Sequence, residues 1–324
     1  MSRIVSLGSA AQDIYLIDHD DFEAVELGAS SIFGKLNIGT KADIDKVVYA
    51  VGGGGANVAT TFARYGHESI YIGNLAHDPA GEAVLASFDQ ENIDSSYVDF
   101  LPGQTDCSVI LLDAKTGEHT TLAHRGVSTQ TANLRASDLQ SLQPDWLYAT
   151  SLHGDMKKLL EFFTAAHELG AKVMFNPGPK ELAQPKKLIG LLRDVDVLIV
   201  DKAEAAEIVP GTVLTELLSR LANYCGTVII TDGVMGAIAT DGQETYRLGV
   251  YEQKHLRDAA GAGDAFGSGF LAALADGEDF SDALQYAAAN ASSVTQRYGA
   301  EAGILTGDEK LHQMPIQKIE ERNT

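Results

Sequence analysis

Short, largely apolar runs rich in β-branched residues recur along the chain and alternate with longer stretches of helical periodicity. From residue 172 onward the alternation is regular. Residues 173–176, 195–200 and 227–231 read as strands, and 180–193, 201–209 and 212–224 as helices. Residues 3–7, 69–73 and 145–150 supply further strands of the same kind, and a helix over 55–65, closed by Gly66, joins two of them. Strands that are apolar throughout need cover on both faces, so the pattern predicts βαβ units: an α/β fold with a mostly parallel sheet between helical layers.

Two stretches depart from that rhythm. Residues 14–51 contain no long helical pattern, and 108–113 with 118–124 read as a hairpin turned by Lys115, Thr116 and Gly117. Both leave the α/β core as excursions, and a small β-sheet built from them is placed to cover a site as a lid. The expected division is a core of 1–13, 52–97 and 126–324, with a lid of 14–51 and 98–125. An exposed edge of such a lid is a candidate for pairing with a second subunit, giving a homodimer.

Composition narrows the partners. The 324 residues, 45% hydrophobic, can bury a large core, while 24 Lys+Arg against 45 Asp+Glu give a net charge of -21. That charge disfavours nucleic acid and anionic membrane surfaces. An anionic substrate such as ATP then needs help from backbone dipoles and a divalent cation. Cys107 and Cys225 are the two cysteines, without metal spacing, and read as reduced thiols of a cytoplasmic protein. The N-terminal apolar run soon meets Asp13 and Asp18, so neither a signal peptide nor a membrane span is expected.

The chemistry concentrates at two glycine clusters. Residues 258–266 read Asp-Ala-Ala-Gly-Ala-Gly-Asp-Ala-Phe and run without a break into an apolar helix. The first turn of a helix points unpaired N–H groups at one spot and carries partial positive charge, which suits a phosphoryl group. Asp264 beside it repels phosphate, a cost that makes sense if the carboxylate takes a proton from an attacking hydroxyl. The second cluster, Gly52 to Gly55 followed by Ala56 and Asn57, also opens a helix; its glycines permit close approach to the backbone, and Asn57 offers a donor and an acceptor to hydroxyls.

Other candidates lie after strands. Asp13 follows the first strand, where open α/β sheets bind ligands; Asp201 and Glu204 follow the 195–200 strand as a ligand-facing pair or a helix cap; Thr231, Gly233 and Gly236 belong to a strand and turn. Arg125, after the hairpin, is able to reach a carboxylate on an acidic sugar. Gly28 to Gly34 with Lys35 departs from the Walker A spacing, the 261–263 glycines lack the Rossmann third glycine, and the histidines show no metal spacing.

Taken together, Asp13, the Gly-Gly-Gly-Gly-Ala-Asn run at 52–57, Asp-Lys-Ala-Glu at 201–204, Thr-Asp-Gly-Val-Met-Gly at 231–236 and the 258–266 segment resemble the ribokinase-like, phosphofructokinase-B type, carbohydrate kinases, in the family's order over most of the chain. The resemblance implies a three-layer α/β/α core with a β-sheet lid, and an ATP-dependent kinase acting on a hydroxymethyl group of a sugar or sugar-like alcohol. It implies Asp264 as base, the N–H groups of Gly261, Ala262 and Gly263 as anion hole, and Asp13, Gly53 and Asn57 on the acceptor. Glu204 would hold Mg2+ through water, Gly233 and Gly236 would lie along the nucleotide, and Asn290 beside the adenine, with Gly299 and Ala300 closing the loop. A monovalent-cation loop at Asp258, with K+ as candidate ion, is also implied. The chain departs from the family's common pattern at Asp201 (often Asn), at Ala259 and Ala260 (often Thr), and at Gly54 and Ala11, which weakens ribose as acceptor. The 296–304 segment is similar to the adenosine-kinase branch, which makes a nucleoside 5′-hydroxyl the alternative. A non-catalytic sugar or nucleotide sensor has no need of Asp264, and a nicotinamide oxidoreductase lacks its fingerprint.

Overall fold

The computed structural model describes residues 1–18, 23–26, 32–35, 41, 43–113, 119–251 and 256–319. Turn residues Lys115 to Gly117 of the expected hairpin and residues 28–31 of the rejected Walker-like stretch lie outside the described residues.

The large sheet has ten strands. Seven run parallel, in the spatial order Asp94–Phe100, Glu68–Leu75, Arg3–Leu7, Trp146–Ala149, Lys172–Phe175, Val197–Asp201 and Thr227–Thr231. Ala237–Thr240, Thr245–Leu248 and Ile316–Ile319 continue it antiparallel. Alternate residues along the central strands feed opposite cores. Val5, Leu147, Val173 and Leu198 pack in one cluster, with Phe162 and Leu217 from the helices of that side. Ile4, Tyr148, Met174 and Ile199 pack on the other, against Phe62, Phe270 and Leu284. Burial on both faces is the physical reason that these strands read as continuous apolar runs.

The smaller sheet joins Lys46–Gly52, Ala11–Asp18, Asp106–Asp113 and His119–His124, in that order. Its inward row includes Tyr15, Ile17, Ile110 and Leu112, which pack with Val48, Ala50 and Tyr298. Glu23–Glu26 pairs with Ile32–Lys35 as a separate ribbon.

Several boundaries differ from the sequence pattern. The smaller sheet begins at Ala11, so Asp13 lies inside it rather than before it, and 98–100 belong to the large sheet through the Asp94–Phe100 strand. The helix expected over 180–193 is two short helices, Pro179–Leu182 and Pro185–Leu191, and a 3-10 turn, Leu192–Asp194. Pro185 has no N–H to continue a helix and biases the residue before it away from helical geometry. The antiparallel strands carry a signal that apolar periodicity alone misses: the Asp241-Gly242 turn, with Gly242 at φ 84° and the Asp241 carboxylate accepting from the N–H groups of Gln243 and Glu244.

Candidate active site

The parallel strands end at one edge, and the candidate residues gather there. Gly261 caps the Ala262–Asp276 helix with φ 77°, and Asp264 stands in its first turn. Gly54–Tyr65 is the other glycine-led helix, and its Asn57 Nδ2 donates to Asp264 Oδ2 at 2.7 Å. One hydrogen bond thus joins two clusters 207 residues apart in sequence. Asn57 is 6% exposed, and its Oδ1 has no partner among the described residues. Burial pushes the Asp264 carboxyl above the ordinary carboxylate range, and the Asn57 amide pulls it back.

The Gly52 to Gly55 cluster is occupied by the protein's own atoms. A Cβ on Gly52 would lie 2.0 Å from Asp13 Oδ2; on Gly53 (φ 91°), 2.7 Å from the Ser9 carbonyl oxygen; on Gly55, 2.9 Å from the Gly8 carbonyl carbon. The Ser9 oxygen accepts from the N–H groups of Gly55 and Ala56. These glycines let the end of the first strand, the Asp13 carboxylate and the helix N-terminus meet at backbone distance. Asp13 is raised to about 6, chiefly by burial and also by Asp258, against lowering by the Ser108 hydroxyl and Arg125. Arg125 follows the His119–His124 strand, its side chain 55% exposed and its Nη1 3.8 Å from Asp106 Oδ2.

On the other side of Asp264 lies a polar cavity of about 210 Å3, lined by Asn176, Asp201, Glu204, Thr231 and the 261–264 turn. Asp201 caps the Lys202–Ile208 helix: its Oδ1 accepts from the Glu204 N–H at 2.7 Å, and Glu204 Oε2 accepts from the Asp201 N–H at 2.8 Å. The pair is thus a capping box, and both residues also line the cavity. Glu204 is pushed up to about 7, first by burial, with Asp201, Glu207 and Asp264 adding repulsion against the Asp201 N–H. A neighbouring cation would offset that clustering of carboxylates. Among the described residues no group of three or more His, Cys, Asp or Glu is placed to hold a metal ion directly.

A second, mostly apolar cavity of about 360 Å3 adjoins the first and is lined by Thr231, Gly233, Gly236, Val250, Phe266 and Thr295, among others. Asn290 does not reach it. Its side chain is fully buried, with Nδ2 donating to the Ala265 carbonyl at 2.8 Å and Oδ1 accepting from the Leu305 N–H at 2.9 Å, so the expected contact with a base is corrected to a tie between helix and loop. Gly299 and Ala300 lie outside the lining as well: the Gly299 N–H reaches Asp258 Oδ2 at 3.4 Å, and Ala300 packs on Gly261. Asp258 itself is 1% exposed and accepts from the Ala260 N–H at 3.0 Å. In the 261–264 turn, the Ala262 N–H leans on the Ala259 carbonyl at 3.3 Å.

Residues 1–306 match the family model of the pfkB family carbohydrate kinases. The chain belongs to that family. It is an ATP-dependent carbohydrate kinase. It is 27% identical to the ribokinase of Haemophilus influenzae over 272 residues, which cover 81% of this chain and 86% of the relative. Its fold is similar to that of the Arabidopsis thaliana ribokinase solved with ribose and ATP (TM-score 0.75, 20% identity, 94% of this chain and 96% of that one). It is equally similar to that of the adenosine kinase of Sinorhizobium meliloti (TM-score 0.77, 20% identity, 92% and 95%).

Several residues of this kinase site escaped the sequence reading. Glu181, fully buried, accepts from the Ser151 hydroxyl and from the N–H groups of Leu152, Gly154 and Gly178, which fixes two loops at the edge of the sheet. Asn176 lines the polar cavity and donates to the Ile199 carbonyl at 3.0 Å. Thr150 fills the space left by Gly8 and Gly54. Their signal is position alone: each sits just after a strand or at the start of a short helix, where many polar residues do nothing.

Proposed function

We propose that this kinase transfers the γ-phosphoryl group of ATP to a hydroxymethyl group of a sugar or sugar-like alcohol, with Asp264 as the base. The observation that carries the proposal is the 2.7 Å bond from Asn57 to Asp264, which sets a carboxylate in the first turn of a glycine-capped helix beside a buried, unpartnered amide oxygen. In this reading Asn57 Oδ1 accepts from an acceptor hydroxyl, and Asp13 and the backbone at Gly53 hold others. Arg125 borders the acceptor and favours one that carries a negative group. Asp264 takes the proton of the attacking hydroxyl, while the N–H groups of Gly261, Ala262 and Gly263 receive charge on the phosphoryl oxygens.

The nucleotide is assigned to the 360 Å3 cavity, along Thr231, Gly233 and Gly236. Glu204, with Asp201 close by, would hold Mg2+ through water, which fits a cavity lined by carboxylates without a direct ligand cage. When bound, Mg2+ supplies neutralisation of phosphate charge. Asp258 would order a loop suited to a monovalent cation such as K+. The smaller sheet is proposed as the lid, and its exposed edge strand His119–His124 as the surface for a homodimer.

An ADP-release screen over pentoses, hexoses, acidic sugars and nucleosides, repeated with Asp264→Asn, tests the whole. The variant should retain its far-UV spectrum and ATP binding and lose about 10² to 10⁴ of kcat. Near-normal turnover would overturn the assignment of the base, and turnover on nucleosides alone would replace the sugar with a nucleoside.

A further inference from the structure

A strap at 299–301 runs between the anion turn and the acceptor helix. Ala300 packs so tightly on Gly261 that a Cβ there would lie 2.4 Å from its own methyl, and the Gly299 N–H is bound to Asp258 of the same turn. On the other side Arg64, in the Gly54–Tyr65 helix, donates through Nη1 to the Glu301 carbonyl at 2.5 Å. The Glu301 side chain turns inward, 8% exposed. Its Oε1 lies 2.9 Å from the Thr60 hydroxyl, and its Oε2 lies 3.4 Å from that of Ser87 on the Pro79–Gln90 helix. Thr60 follows Asn57 by one turn of the helix that positions Asp264.

We infer that Glu301 is a positioning residue for phosphoryl transfer: its carboxyl group ties the acceptor helix to the strap behind Gly261 through Thr60, and loss of its proton loosens the tie. The inference rests on the reading of Gly261 and Asp264 given above.

Burial is the reason, since the Thr60 bond by itself favours the carboxylate. The Thr60 hydroxyl has one proton and two acceptors in reach, Glu301 Oε1 at 2.9 Å and the Ala56 carbonyl at 3.1 Å. A protonated Glu301 donates to Thr60 Oγ1, which donates onward to Ala56, and every group is satisfied. An ionised Glu301 draws the Thr60 proton away from Ala56 and is a buried charge with neutral hydroxyls as its side-chain donors, so it favours arrangements in which the strap opens and water reaches the carboxylate. Arg64 attracts that charge, but its Nε and Nη2 are committed to Glu91, at 2.9 and 2.6 Å, and Glu91 repels it. Burial is the largest influence, with the Thr60 bond, Arg64 and the Ser87 bond opposing, and the carboxyl is pushed up to about 7, so the change falls in the neutral range.

Glu301→Gln tests this, because the amide donates to Thr60 as the protonated acid does and cannot ionise. With both substrates saturating, the ratio of variant to wild-type kcat should stay near one at about pH 6 and rise about threefold by about pH 8.5, with KM unchanged. Urea midpoints read the same ionisation without turnover, and the variant's advantage should grow over that window. Thr60→Val should flatten the same ionisation out of the kcat profile, and Thr60→Ser should restore it, which keeps the inference testable if Glu301→Gln does not fold. Parallel profiles for wild type and Glu301→Gln, or a wild-type profile in Thr60→Val, would overturn it. An active Asp264→Asn would instead remove the underlying site reading, a failure told apart because the urea titration of Glu301 would persist.

Discussion

At Asn57 one amide serves two purposes in the proposed reaction: its nitrogen lowers the proton affinity of Asp264, and its buried oxygen, without a partner among the described residues, is proposed to accept from the acceptor hydroxyl. The hydrogen bond favours the ionised carboxylate, so removing it raises the Asp264 pKa further. Asn57→Ala should therefore move the acidic limb of the kcat profile to higher pH, as well as raising KM for the acceptor. A pH–rate series on the two proteins checks both. Gly52 makes a sharper case, since an added Cβ would lie 2.0 Å from Asp13 Oδ2. Gly52→Ala should raise KM for the acceptor about tenfold, equivalent to ~1.4 kcal/mol, with KM for ATP unchanged. Sequence made Asp13, Asn57 and Asp264 legible because a carboxylate or amide beside a glycine-led helix is chemically conspicuous. It could not show that Gly52 accommodates Asp13, because that contact depends on two strands being paired in register. Asn290 was placed beside the adenine by the family resemblance, but the neighbouring helix and loop consume its amide.

Among elements, the parallel strands were readable because burial on both faces removes polar residues from them, while helix ends depended on local chemistry. The Phe280–Val294 helix begins with Asp279, whose Oδ1 accepts from the Asp282 N–H at 2.9 Å. Asp279→Ala should cost about 1 kcal/mol in a urea titration and leave kcat and KM unchanged, since the cap lies at the end of the helix away from the cavity residues Ala291 and Thr295. The break at Pro185 was visible in the sequence and outweighed by the apolar periodicity around it. Of the smaller sheet, the hairpin of 108–113 with 118–124 was legible and pairs as expected, while 14–51 was visible only as an interruption. The sheet's mixed order, with Ala11–Asp18 antiparallel to one neighbour and parallel to the other, joins segments about ninety residues apart and leaves no local pattern.

Over the whole molecule, carboxyls raised by burial set how stability depends on pH. Asp13 at about 6, and Glu204 and Glu301 at about 7, bind protons more tightly folded than unfolded. Their contribution is fully present below the unfolded carboxylate range and is lost as pH rises through about 6 to 7. His67 acts in the opposite sense. Its Nδ1 accepts from the Ser2 N–H and burial lowers its pKa, so its contribution is present above the ordinary histidine range and lost as pH falls below it. The urea midpoint should therefore fall between about pH 6.5 and 8, where the acids dominate, and Mg2+ at Glu204 should reduce that fall; a rise over the window would contradict the assignment of these carboxyls. By itself the sequence determined the α/β class, the two glycine-led helices and the aspartate in the first turn of the later one, because periodicity, helix ends and side-chain chemistry are local properties. Only the tertiary structure decided that Asn57 meets Asp264, that Glu204 both caps a helix and faces a cavity, and that Glu301 lies between two helices. Each of these is a contact between distant segments, and its energy depends on burial and on which hydrogen-bond partners the rest of the fold leaves available.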